Sequence, residues 1–258
     1  MHLIDTHSHL YLEEFDPDRE ELVHLAKENG IVSLLFPNID RESVSRLHKI
    51  CDYYPDFCYP MMGLHPTSVS ANYVSELIYL ESLLSKRMYC GIGEIGIDLY
   101  WDKTFLKEQK LVFEEQLRWS IEMKLPVSIH TRNAFPEVFD SIFKVGADKL
   151  SGVFHSFSGT EDELRIVLSL KNFKLGINGI VTYKNSDLPI ILKQTTMKNI
   201  VLETDAPYLP PVPFRGRRNV PVYMLETLKK VAEIFEIPLE KAASIIEKNT
   251  KEIFAFVR

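Results

Sequence analysis

"IDTHSHLYLEE", residues 4–14, follows on the first apolar run of a 258-residue chain and holds no glycine. An open, doubly wound α/β sheet usually carries a glycine-rich phosphate loop after its first strand, so this stretch argues against that fold. It also sets two histidines two positions apart. Side chains alternate along a strand, so His7 and His9 face the same side. A histidine pair on a half-exposed strand is the plain explanation, because two imidazoles alone are a weak metal signal. Further ligands elsewhere in the chain would overturn it.

Beyond residue 14 the sequence keeps alternating. Short β-rich runs fall at 2–6, 31–36, 57–63, 89–94, 126–130, 151–155, 173–177 and 199–203. Segments of helical period lie at 16–29, 41–53, 72–86, 104–124, 136–145, 160–170, 187–193, 219–236 and 239–256. The clearest is 104–124, where residues 105, 106, 111, 112, 117, 119, 121 and 123 form one broad apolar stripe. "SVSANY" (68–73) and "SGTEDE" (158–163) supply candidate N-cap residues ahead of helices. Eight strand–helix units in a chain of this length predict an α/β fold, a closed (β/α)8 TIM barrel. No repeat, low-complexity tract or linker divides the chain, so a single domain over 1–258 is expected. The densest irregular piece, "DAPYLPPVPFRGRRNVP" (205–221), follows the last strand and reads as an active-site loop.

Composition narrows the function. Apolar residues make up 45% and charged residues 26%, ordinary for a protein with a substantial core. A net charge of −6 argues against a large basic surface for nucleic acid, though a local patch can still bind phosphate. Cys51, Cys58 and Cys90 are too few and too scattered for a disulfide framework or a zinc ribbon, which favours a reducing compartment. The N-terminus lacks a charged, then apolar, secretory pattern, and no run approaches 18 apolar residues. A cytoplasmic protein without membrane contact is the expectation. No sustained heptad or exposed apolar helix requires an obligate protein partner, so a monomer is expected too.

Barrel enzymes build their sites at the C-terminal ends of the strands. Strand 1 ends in His7 and His9, strand 4 in Glu94, strand 5 in His130 and strand 6 in His155, while strand 8 runs into Asp205 through "LETDAP". Each has a dull explanation alone: a satisfied buried histidine, a cap or an ion-paired carboxylate. All six at strand ends favour metal binding. The imidazole and carboxylate set does not name the metal; Mg, Mn and Zn all suit it. Six ligands exceed one tetrahedral site and suit two divalent ions sharing a carboxylate, the arrangement that clamps attacking and leaving oxygens in hydrolysis.

"DTHSHL" (5–10), "GLHP" (63–66), "GEIGID" (93–98), "IHTR" (129–132), "HSFSG" (155–159) and "ETDAPYL" (203–209) together resemble the ordered signature of the TatD family of metal-dependent deoxyribonucleases, within the amidohydrolase-like barrels. The likeness runs from residue 5 to about 221. It implies a TIM barrel that hydrolyses phosphodiester bonds in DNA. It further implies one metal on His7, His9, Glu94 and Asp205, and a second on Glu94, His130 and His155. Ile97 stands where leucine is usual, and Glu94 takes the bridging place that a carbamylated lysine fills in dihydroorotase-like relatives.

Within that frame Asp205 is the candidate to orient the attacking water or take its proton, with Glu94 as its catalytic partner. Glu203, two residues earlier, is either a support behind the ligands or a barrel-interior carboxylate. His65 and Arg132 stand beside strand ends and suit a substrate phosphate, Arg132 in bidentate fashion. Arg215, Arg217 and Arg218 in "FRGRRN" (214–219) offer a basic patch or merely a solvated loop. Tyr100 and Trp101 suit stacking on an unpaired base, or plain packing beneath a loop. The competing functions are an amidohydrolase or esterase on a small molecule, an aminoacyl-tRNA deacylase using the same site, and a metal-binding scaffold without turnover.

Overall fold

All eight β-rich runs form parallel strands: β1 (Leu3–Asp5), β2 (Ile31–Phe36), β3 (Cys58–Met62), β4 (Gly91–Asp98), β5 (Val127–Arg132), β6 (Gly152–Phe154), β7 (Phe173–Ile177) and β8 (Ile200–Leu202). The computed structural model describes residues 1–255. Residue 256 of the helix expected over 239–256, and the end of the domain expected over 1–258, lie outside the described residues. The strands follow one another in chain order around a single sheet. Thr6 N donates to Leu202 O at 3.1 Å and Asp205 N to His7 O at 2.8 Å, drawing β8 to β1 and closing the barrel.

Alternation along the strands separates two apolar layers. Ile4, Leu35, Met61, Cys90, Val153 and Val201 meet inside the barrel, with Phe254 among them. Their neighbours Leu3, Leu34, Phe36, Met62, Phe154, Ile200 and Leu202 point outward under the helices. Burial on both faces explains why the strands read as continuous apolar runs.

The helices are α1 (Arg19–Glu28), α2 (Val44–Tyr53), α3 (Tyr73–Leu84), α4 (Leu106–Met123), α5 (Phe135–Val145), α6 (Glu161–Ser169), α7 (Leu188–Leu192), α8 (Met224–Ile234) and α9 (Leu239–Ile253). On α5, Phe135, Val138, Phe139 and Ile142 recur at helical spacing and are buried. Thr160 caps α6 with a full capping box to Glu163, within the predicted "SGTEDE". Asn72 precedes α3 without a side-chain cap bond. None of the described helices is long and apolar enough to cross a membrane. Cys51, Cys58 and Cys90 are free and buried.

Two strands outrun their predicted ends. β4 continues to Asp98 and β5 to Arg132, because Gly96 pairs with His130, Ile97 with Thr131 and Asp98 with Arg132 after a register shift between Ile92 and Ile95. Glu94 therefore sits at an irregularity inside β4 instead of ending it, the kind of place where strands re-aim a side chain. His130 likewise lies within β5. The helix expected over 187–193 forms as the short α7, with Pro189 in its first turn, and 219–236 opens with a 3-10 turn at Pro221–Tyr223.

Candidate metal centre

The loop after β1 brings His7 and His9 inward with their Nε2 atoms 3.2 Å apart. Glu94 lies between several imidazoles, and its two oxygens face different ones. Its Oε2 is 3.1 Å from His7 Nε2 and 3.6 Å from His9 Nε2. Its Oε1 is 2.8 Å from His130 Nδ1, 3.3 Å from His65 Nε2 and 3.8 Å from His155 Nε2. Asp205 Oδ1 stands 3.6–3.8 Å from the Nε2 atoms of His9, His155 and His7. The rings of His7 and His155 stack with centroids 3.4 Å apart.

Asp5 holds this corner together. Its Oδ1 accepts from Thr204 N at 2.9 Å and its Oδ2 from Thr204 Oγ1 at 2.6 Å, tying the start of the β8 loop to β1. Asp205 itself takes a left-handed backbone with φ 59°, a region aspartate tolerates better than most residues. Glu203, buried, accepts from Ser156 N at 2.6 Å and places Oε1 2.9 Å from His155 Nδ1 without a well-aligned hydrogen bond. Gly176 makes room for it: a β-carbon there would lie 2.3 Å from Glu203 Oε2.

Burial alone would push the Glu94 carboxyl up. The imidazoles of His65, His7 and His155, with the His130 hydrogen bond, outweigh it and hold Glu94 well below the usual carboxylate range. Burial of Asp205 is likewise outweighed, chiefly by His155 and His9, and its carboxyl is lowered. Burial disfavours charge on His155, yet Glu203, Asp205 and Glu94 raise it to about 10. His130 is raised against burial by its bonds to Asp98 and Glu94. His7 is lowered, by burial and then by the charge on His155.

Hydrogen bonds settle which ring nitrogens carry protons. Tyr11 gives its hydroxyl proton to Pro37 O at 2.7 Å, so it can only accept from His9 Nδ1 at 3.0 Å. Neutral His9 therefore turns a bare Nε2 toward His7 and Glu94. His65 is the opposite case. Thr67 N donates to its Nδ1 at 3.2 Å, which leaves the neutral ring's proton on Nε2, facing Glu94. His130 Nε2 lies 2.9 Å from Asp98 Oδ2, so its Nδ1 is the nitrogen that faces Glu94.

A divalent ion fits this set. Donors about 2.0–2.2 Å from one ion stand roughly 3–3.5 Å apart, as His7 Nε2, His9 Nε2 and Glu94 Oε2 largely do. Three trios of donors converge within 4.8 Å: His7, His9 and Glu94; His7, His155 and Glu203; and His65, Glu94 and His130. With Asp205 Oδ1 within 3.8 Å of three of these imidazoles, all six candidate ligands expected from the sequence share one mouth, and His65 and Glu203 join them. Arg132 does not touch the cluster but lines the same cavity of about 450 Å³, with Trp101 and Tyr208. Arg218 is spent elsewhere, paired with Asp18 and Glu14 O and lying over Phe15, while the Arg215 guanidinium covers Tyr183 at 3.9 Å. Sequence reasoning passed over Tyr11 and Asp98; Tyr11 continues the alternation noted for 7 and 9, and Asp98 lies four positions beyond Glu94 in "GEIGID".

The sequence matches the family described as TatD related DNase over residues 4–255. The chain belongs to that family. A relative, the uncharacterized metal-dependent hydrolase YabD of Bacillus subtilis, is 34% identical, with 98% of each chain covered. The 3'-5' ssDNA/RNA exonuclease TatD of Pantoea ananatis is 28% identical over 95% of this chain and 96% of that protein. Among solved structures, YJJV, a TatD homolog from Escherichia coli K12, superposes with a TM-score of 0.90 at 27% identity and covers 98% of both chains. This TatD-related chain is accordingly a metal-dependent hydrolase with a TIM barrel fold.

Proposed function

We propose that the chain hydrolyses phosphodiester bonds in DNA at a site where two divalent ions share Glu94. The observation that carries this reading is the division of one carboxylate, Oε2 toward His7 and His9 and Oε1 toward His130 and His155. The names of some relatives as single-strand DNA and RNA exonucleases support the bond class. His7, His9, Glu94 and Asp205 would hold one ion, and Glu94, His130 and His155 the other. The ions would supply Lewis acidity at phosphoryl oxygens and acidify water.

The chain's own groups do the rest. Asp205, kept ionised by the imidazoles around it, orients the attacking water and takes its proton. His65 presents an Nε2–H into the site, so it donates to a phosphate oxygen instead of serving as a ligand. Glu203 holds His155 from behind, and Asp98 does the same for His130. Arg132 binds phosphate from the cavity wall.

End-labelled oligonucleotides decide the matter, offered to chelated protein and again after addition of Mg, Mn or Zn. Metal-dependent release of labelled fragments is the expected result. Turnover of simple esters or aminoacyl-tRNA with intact oligonucleotides would assign the same site to the competing hydrolase, and no turnover with any metal would leave a scaffold.

A further inference from the structure

We infer that Trp101, Tyr100 and Arg132 form a subsite for one unpaired nucleotide beside the metal centre, its base on Trp101 and a phosphate on Arg132; this rests on the phosphodiesterase reading above. Trp101 is 70% exposed and Tyr100 53%, although an indole of that size ordinarily gains by burial. The two rings meet edge to face, with centroids 4.9 Å apart. They are not loosely held. Asp98 Oδ1 accepts from Tyr100 N at 2.9 Å and from Trp101 N at 3.3 Å, fixing the loop that carries them. The other oxygen of the same carboxylate takes His130 Nε2 at 2.9 Å. One side chain therefore sets the aromatic platform relative to the ligand cluster.

Arg132, the strand partner of Asp98, lays its guanidinium 3.8 Å from the Tyr100 ring centroid and 5.3 Å from that of Trp101. Stacking of this kind fixes the plane and leaves the N–H donors at its edge open. No carboxylate among the described residues forms an ion pair with it, so a positive charge stands unmatched in the wall of the catalytic cavity. An acidic chain of net charge −6 has reason to keep one there. A planar apolar face next to a free guanidinium, both beside the metal ligands, matches the two halves of a nucleotide. Every base has a π-face, so such a platform tolerates all of them, but a base already stacked within a duplex cannot use it.

The sequence holds two tryptophans, and Trp119 is buried at 2% exposure, so base stacking registers on Trp101 emission. Chelated full-length protein, which cannot turn over a metal-dependent substrate, is titrated with short oligothymidylate and with an abasic oligomer of equal length. The expected result is quenching by oligothymidylate and little by the abasic oligomer. Trp119→Phe keeps the quench. Trp101→Ala loses it and binds oligothymidylate about ten-fold more weakly, while Trp101→Phe keeps most of the affinity. Equal quenching by both oligomers, or parent-like affinity in Trp101→Ala with an unchanged melting temperature, would overturn the subsite. Quenching without cleavage under any metal would support the platform and sink the phosphodiesterase reading alone.

Discussion

His9 and His65 carry the neutral proton on opposite ring nitrogens, and in each case a residue two positions later sets it. Tyr11 takes the His9 Nδ1–H because its own proton goes to Pro37 O, whereas Thr67 N fills His65 Nδ1. The first ring can bind a cation and the second can bind an oxyanion. Tyr11→Phe removes the acceptor and frees the His9 tautomer. It should weaken divalent-metal binding about 10–100-fold, read by calorimetry on chelated protein. Unchanged affinity would mean that Tyr11 does not orient the ring. Glu94→Ala removes the donor common to two of the three trios. Hydrolysis should fall by more than about 100-fold with the circular dichroism spectrum intact. Cleavage at the parent rate would dispose of the shared carboxylate.

β4 and β5 act as a unit that sets Glu94 and His130 against each other, and Gly96 pairs with His130 where there is no room for a side chain. Its φ is 150°, and a β-carbon there would lie 1.9 Å from His130 O. Gly96→Ala must therefore push the strands apart. The expected cost is about 3 kcal/mol or more in chemical unfolding, with loss of metal binding. Thr160→Ala, on the capping box of α6, should cost about 1 kcal/mol and leave turnover unchanged. Loss of turnover in Thr160→Ala as well, in proportion to its lost stability, would show that both variants act only through global stability. The same pair of strands marks how far sequence reading reaches. Apolar runs and helical stripes place all eight strands and bring the candidate ligands to one mouth, because strand-end chemistry leaves polar residues where the apolar run stops. The extension of β4 to Asp98 escapes it, since the register depends on β5, about 30 residues away. The free or spent state of each arginine escapes it too. Arg218 meets Asp18 across 200 positions, and no local pattern encodes that partner.

For the molecule as a whole, the centre couples metal, protons and stability. His155 is raised to about 10 from an ordinary 6.5, so in metal-free protein it holds a proton that a ligand imidazole must give up. The stabilisation from that bound proton is complete below pH 6.5 and is lost as pH rises toward 10. Asp5 has its window lower. Burial raises it from 3.8 to about 7, so folding is opposed increasingly as pH climbs between those values, and Asp5→Asn should gain on the parent across that range and then run parallel. A divalent ion that binds only the folded chain adds roughly 2.7 kcal/mol at a concentration 100 times its dissociation constant. On the proposed ligation by His155 an ion would displace that proton, so the gain would grow with pH while the metal-free form weakens. The gap in melting temperature between metal-loaded and chelated protein should therefore widen from pH 6.5 to 8.5, and titration with metal in weak buffer should acidify the solution. A gap that stays constant, with no proton release, would place the metal away from His155.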